Sequence, residues 1–293
     1  MASTGVIGHP LPIARIRAGM PRAARALSEG GLSAAARAIM TTDTVPKIAA
    51  LRTRIDGRTV TLAGIAKGAG MIEPNMATML AFVLTDAAVA PPLLRRLLRR
   101  ACDSSFNRLT VDGETSTSDS VLILANGCAG HAPLRDAAAV GSRRFGAALG
   151  ELAETLARAL ARDGEGATKL VTVRVAGARS AVEAERAGKR IANSMLVKTA
   201  LFGGDPNWGR ILQTVGAARV RIVLARAEVR LAGVVVWRRG APTGPAARSR
   251  AGRALARPEI EVAIDLGAGR HATTVWTCDL SYDYVRINAD YTT

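Results

Sequence analysis

Lys67-Gly-Ala-Gly-Met-Ile-Glu-Pro-Asn-Met-Ala-Thr-Met-Leu-Ala-Phe-Val-Leu-Thr85 sets one hydroxyl, that of Thr78, between a glycine-rich turn and an apolar run. The plain reading is a turn followed by a buried strand, with Thr78 at its start, because β-branched and apolar residues favour strands. A chemical reading stands beside it. Scission of the Ala77–Thr78 bond would give Thr78 a free α-amine, whose ordinary pKa of about 7.7 to 8.0 makes it a usable base near neutrality. One residue would then carry nucleophile and base together. Gly64 to Gly70 does not read as a phosphate-binding loop, since its lysine precedes the last glycines and no Gly-Lys-Ser/Thr follows. Close approach of backbone to a reacting carbonyl is a better use for these glycines.

Upstream, Lys47 to Ile55 and Thr59 to Ile65 read as strands joined by Asp56-Gly57, a strong hairpin signal. An Ala/Arg-rich helix is expected from Ile13 to Leu27, stopped by Gly30-Gly31. Downstream, helical periodicity marks Pro92 to Arg108, Ser142 to Arg162, Ala181 to Ala200 and Pro206 to Gly216, with strands expected at Val121 to Ala125 and Lys169 to Val175. After Arg219 the pattern turns strand-rich, over Val220 to Val229, Gly233 to Trp237, Glu259 to Leu266 and Thr273 to Asp279. Gly240 to Arg257 reads as a surface loop with a short helix. Gly267-Ala-Gly269 imitates a dinucleotide-binding fingerprint, but β-like Thr273 to Thr277 follows where a helix is required, so a hairpin turn is expected.

Composition narrows the function classes. The chain has 293 residues, 48% of them apolar, enough for a substantial core. A net charge of +16 attracts polyanions. Aromatics are only 3%, leaving few rings for base stacking, and Arg95, Arg96, Arg99 and Arg100 alternate with leucine pairs as the solvated face of an amphipathic helix. Nucleic acid is therefore not the expected partner. Cys102, Cys128 and Cys278 are far apart and odd in number, as in a reducing cytoplasm without a disulfide framework. His9, His131 and His271 lack metal-ligand spacing, so no metal is expected. No apolar run is long enough to span a bilayer and no secretory leader is recognisable.

Met71-Ile-Glu-Pro-Asn-Met-Ala-Thr-Met-Leu80 resembles the self-cleavage signature of the ornithine acetyltransferases, the bifunctional glutamate N-acetyltransferases of arginine biosynthesis. Further blocks resemble that family in the same order: Ser3 to Gly8, Ile39 to Lys47, Phe106 to Gly113, Asp163 to Lys169, Asn193 to Ala200 leading into Asp205 to Arg210, and Cys278 to Tyr291. The resemblance implies a four-layer αββα-type sandwich of α/β class. It implies cleavage between Ala77 and Thr78 into a small fragment, 1–77, and a large one, 78–293, assembled as a heterotetramer of two of each.

Activity follows from the same source. The resemblance implies transfer of an acetyl group from N-acetylornithine to glutamate through an acetyl ester on Thr78, without a cofactor, some members also accepting acetyl-CoA as donor. Thr4 and Gly5 match the oxyanion-hole pair; Thr44, Lys67, Thr78, Glu165, Asn288 and Thr293 match substrate-binding positions. The residue types suit those roles: Lys67 can pair a carboxylate, Glu165 an ammonium, and Asn288 with Thr293 can hydrogen-bond an amino-acid backbone. Two departures stand out. Only Met1 and Ala2 precede the Ser3 block, where the family carries a sizeable N-terminal segment, so an N-terminally shortened small fragment is expected. Ser118 stands where the family generally has asparagine. The competing reading is a truncated, catalytically silent relative acting as a binding or assembly subunit.

Overall fold

The computed structural model describes residues 2–6, 8–73 and 79–290. The chain begins with helices α1 (Ile13–Arg25) and α2 (Gly31–Ala38), then strands β1 (Lys47–Ile55), β2 (Arg58–Lys67) and β3 (Leu80–Thr85). Helix α3 (Pro91–Ser104), a 3₁₀ turn at Phe106–Arg108, strand β4 (Ser120–Ala125) and the long α4 (Val140–Arg162) follow. The second half comprises β5 (Leu170–Ala178), α5 (Ala181–Ala192), α6 (Met195–Phe202), α7 (Trp208–Ala217), β6 (Glu228–Leu231) and β7 (Val234–Arg238). It closes with β8 (Ala241–Pro242), α8 (Pro245–Ala254), β9 (Glu259–Asp265), β10 (His271–Cys278) and α9 (Tyr282–Asp290).

Two sheets form, in the orders β1-β2-β3-β4 and β10-β5-β9-β6-β7-β8. In the first, β1, β2 and β3 run antiparallel and β4 joins β3 in parallel. The β1–β2 turn is the expected one: Asp56 and Gly57 both take left-handed backbone angles, as a tight hairpin twisted with its strands requires. Alternate residues Val60, Leu62 and Ala66 of β2 and Ala81 and Val83 of β3 face one core, shared with α3 and α4. Helix α4 supplies Phe145, Leu149, Leu152, Leu156 and Leu160 to it, the spacing of one helical face. That helix packs on β1 and β2 and also reaches β5 and β10, where Leu170, Trp276 and Cys278 join the same core. The other face of the second sheet is covered by α5, α7 and α8 around Val173, Val175, Val229, Val262 and Ile264. The α/β class of the expected four-layer αββα-type sandwich, with two sheets and helices packed on them, is thus present.

Four local expectations are corrected. The single helix over Ala181 to Ala200 is two, because Ser194 caps α6 by accepting from the Val197 N–H while the Asn193 side chain is drawn off to Glu73 and Thr110. The strand expected from Val220 begins only at Glu228: Arg219 is left-handed, and Val223 reaches across to the Leu266 carbonyl. Gly31 does not merely stop α1; it opens α2. Finally, Gly267–Gly269 is no hairpin. Strand β5 lies between β9 and β10, and the turn steps over its end, with Ala268 and Gly269 N–H groups donating to the Gly177 carbonyl. The strand after this turn removes the dinucleotide reading, as expected.

Candidate active site

The site grows from the β2–β3 connection. Lys67, the last residue of β2, pairs with Leu80, the first of β3, so the intervening loop leaves and returns at neighbouring points of one sheet. Thr78 and Ala77, the expected cleavage site, fall outside the described residues, but both arms of their loop are fixed. On the outgoing arm, the Asp112 carboxylate accepts from the N–H groups of Met71 (2.7 Å) and Ile72 (2.9 Å), and the Ile72 carbonyl accepts from Val111. Met71 is held in a left-handed conformation there, φ 54°, which for a residue with a Cβ stores about 1–3 kcal/mol that the surrounding bonds must offset. Glu73 accepts from Asn193 Nδ2 (2.6 Å) and pairs with Lys189 Nζ (3.4 Å). On the returning arm, Asp119 Oδ1 accepts the Met79 N–H and the Met79 carbonyl accepts from Ser120.

A cavity of about 270 Å³ opens beside this loop. It is lined by Thr4 and Gly5 from the N-terminal segment, Lys67 and Gly68–Met71 from the loop, Glu165 from the α4–β5 turn, and Tyr284 and Asn288 from α9. Lys67 Nζ donates to Thr4 Oγ1 at 2.8 Å. That bond fills a lone pair of the hydroxyl and leaves its proton free to point into the cavity, the orientation an oxyanion donor needs. Burial pushes the Lys67 ammonium below the ordinary lysine value, opposed by Asp43 and Asp119 and reinforced by Lys47.

Glu165 is 7% exposed, and its carboxylate accepts from Asn288 Nδ2 at 2.9 Å while its N–H donates to the Ala69 carbonyl. Gly70 makes room for it: a Cβ at position 70 would come within 2.3 Å of Glu165 Oε2. The α9 helix is locked to this turn through Gly166, whose carbonyl accepts from Ser281 and whose missing Cβ admits the Tyr284 backbone. The Tyr284 phenol is pushed above its ordinary range by burial and then by the carboxylates of Asp112 and Glu165. It stays a neutral donor.

Five of the sequence-predicted residues, Thr4, Gly5, Lys67, Glu165 and Asn288, are therefore brought together around one cavity. Thr44 is not among them: its N–H and hydroxyl donate to Asp163, and Thr41 and Thr42 of the same segment line the wall instead. Asp163 also joins Lys47 and Asp43 in a buried ionic cluster beneath the loop, and Asp43 accepts from the Gly68 N–H at 2.7 Å. Thr293, like Thr78, lies outside the described residues. Sequence reasoning missed Asp112, Asp119 and Tyr284. Ser118, the departure noted above, lines the cavity next to Asp119.

The ArgJ family model matches residues 1–293, the whole chain. The chain belongs to the ArgJ family. It is 51% identical, over its full length, to the arginine biosynthesis bifunctional protein ArgJ of Geobacter sulfurreducens, covering 74% of that protein. The ArgJ protein of Symbiobacterium thermophilum is 50% identical over the same span, with 72% of it covered. A crystal structure of the ArgJ protein of Bacillus halodurans superposes with a TM-score of 0.68 at 39% identity, over 72% of this chain and 98% of that one.

Proposed function

We propose that this ArgJ-family chain is a self-cleaving acetyltransferase of arginine biosynthesis, carrying acetyl from N-acetylornithine to glutamate on Thr78. The observation that carries the reading is the cavity itself, where Thr4, Gly5, Lys67, Glu165 and Asn288 gather at the mouth of the strand pair that closes the Thr78 loop.

Cleavage begins with attack of Thr78 Oγ on the Ala77 carbonyl carbon. As the C–N bond breaks the acyl group moves to oxygen and the Thr78 α-amine is freed; water then hydrolyses the ester, releasing the Ala77 carboxylate and the Thr78 hydroxyl. In turnover that amine takes the hydroxyl proton as Oγ attacks the acetyl carbonyl, while the Thr4 hydroxyl and Gly5 N–H face the developing oxygen charge. Ornithine leaves; the glutamate amine attacks the acetyl ester and restores Thr78. The reaction exchanges amide, ester and amide, so no cofactor is needed, and acetyl-CoA would be an alternative donor at the same hydroxyl.

The charge of the cavity supports the substrate class. In a chain of net charge +16 its wall carries Asp112, Glu114 and Glu165 against Lys67. An amino acid with an extra side-chain ammonium fits that balance, its carboxylate to Lys67 and its ammonium to Glu165. Assembly as a heterotetramer in the cytoplasm belongs to the same proposal; exposed Ile48, Leu84, Leu122 and Leu124 on the first sheet offer apolar area for it. Among the described residues no helix is long and apolar enough to cross a membrane.

The test is acetyl transfer. Purified protein given N-acetylornithine and labelled glutamate is expected to form labelled N-acetylglutamate, and Thr78→Ala is expected to abolish it. Absence of transfer by a folded, cleaved sample would favour the silent-relative reading.

A further inference from the structure

Self-cleavage has a chemical gap. The α-amine that serves as base during turnover is, before scission, the nitrogen of the Ala77–Thr78 amide, and an amide nitrogen takes up no proton near neutrality. Another group must accept the Thr78 hydroxyl proton the first time. Histidines do not serve: His131 is engaged with the Ala88 N–H and the Ala132 carbonyl, His271 lies on β10 in the second sheet, and His9 is exposed and does not line the cavity. Both Asp112 oxygens hold backbone N–H groups of the outgoing arm, Glu73 is tied to Asn193 and Lys189, and one Glu165 oxygen is tied to Asn288.

Asp119 differs from all of these. Its Oδ1 accepts the N–H of Met79, the residue bonded to Thr78, while its Oδ2 is fully buried and has no hydrogen-bond partner among the described residues. A buried, unpaired carboxylate oxygen costs free energy, and a structure that keeps one calls for an explanation such as a catalytic role. The Ser120 N–H holds the Met79 carbonyl, so this carboxylate and the nucleophile's neighbour form one rigid unit. We propose that Asp119 is the base of the self-cleavage step, an inference that rests on Thr78 being the nucleophile. Asp119 takes the Thr78 hydroxyl proton as Oγ bonds to the Ala77 carbonyl carbon. It returns that proton to the departing Thr78 nitrogen as the C–N bond breaks, so that the amine is born neutral and Asp119 is again a carboxylate.

The electrostatics suit this task. Burial raises the Asp119 carboxyl to about 7, against the opposing pull of the Met79 N–H and of Lys67 facing it from β2. A base with a pKa near the working pH is the effective one.

The experiment follows cleavage of freshly translated full-length chain by mass, across about pH 5 to 9. For the unmodified chain the rate is expected to rise roughly tenfold per pH unit in the acid limb and to level near the Asp119 pKa of about 7. Asp119→Asn keeps an oxygen for the Met79 N–H but cannot take a proton; it is expected to slow cleavage by about 10² or more and to remove the inflection. Asp119→Glu is expected to restore part of both. Cleavage of Asp119→Asn within a few-fold of the unmodified rate, with the inflection kept, overturns the assignment. So does a flat profile of the unmodified chain, a readout that needs no variant to fold. If the unmodified chain never cleaves, the reading of Thr78 falls too, and that outcome is distinct from cleavage that ignores Asp119.

Discussion

Gly70 and Glu165 make the sharpest case for what single residues contribute. A methyl group at position 70 would sit 2.3 Å from the Glu165 carboxylate, so Gly70→Ala must displace either the loop or the acid. Its expected effect is a loss of both cleavage and substrate affinity with the core unchanged, read by fragment mass and by KM for N-acetylornithine. Glu165→Gln removes the charge while keeping an acceptor for Asn288. A charge-assisted hydrogen bond contributes about 1.5–3 kcal/mol, so KM for N-acetylornithine should rise roughly tenfold to a hundredfold, with KM for glutamate less affected. Lys67, Glu165 and Asn288 were legible in the sequence because each matches a substrate-binding position of the family the chain resembles. Asp112 and Asp119 were not, because what they bind is backbone: N–H groups of residues about 40 positions away, which carry no side-chain signature. Thr44 shows the converse, a residue placed by its motif whose hydroxyl is spent on Asp163.

Helix α4 is the element on which both sheets rest. Leu156 is fully buried and touches the face of β2 where Gly64 lets the helix approach. Leu156→Ala should destabilise by about 2–5 kcal/mol, lowering Tm by several degrees in a thermal melt. The helix also ends at Asp163, which with Asp43 and Lys47 forms the buried cluster under the β2–β3 loop. Burial pushes the Asp43 carboxyl up, but the Gly68 N–H, the Lys47 ammonium and the Thr41 N–H outweigh it, and the net shift is downward. A carboxyl whose pKa is lower folded than unfolded contributes stability above the ordinary value of 3.8 that is lost as the pH falls below it. Asp43→Asn, which leaves Lys47 with one buried partner, should therefore cost about 3 kcal/mol at pH 7 and less at pH values below the ordinary 3.8, compared by urea unfolding at both. Elements with one strong period, such as α4 and the β1–β2 hairpin, were readable from the sequence. The break at Asn193-Ser194 and the insertion of β5 between β9 and β10 were not, since a side chain recruited by Glu73 and a strand arriving from elsewhere in the chain leave local periodicity unchanged.

At the scale of the molecule, the proposed scission point falls in the connection between two paired strands of one sheet. Residues on either side of it, β2 and β3, are hydrogen-bonded from Leu62–Thr85 to Lys67–Leu80, and α4 from the later part of the chain covers β1 and β2. Cutting between them removes one covalent bond and leaves the core intact. The two pieces should co-elute as one species in gel filtration at any ordinary salt concentration, because apolar burial rather than surface charge joins them, and should part only in denaturant. Two-sheet α/β architecture and family membership were both readable from ordered sequence blocks; the pinning of the loop at both arms needed the fold. The most direct test of self-processing is the intact mass of freshly purified, undigested protein. Two polypeptides ending at Ala77 and beginning at Thr78, replaced by one uncut chain in Thr78→Ala, are predicted. A single unbroken 293-residue polypeptide from the unmodified sequence after prolonged incubation at neutral pH would contradict it.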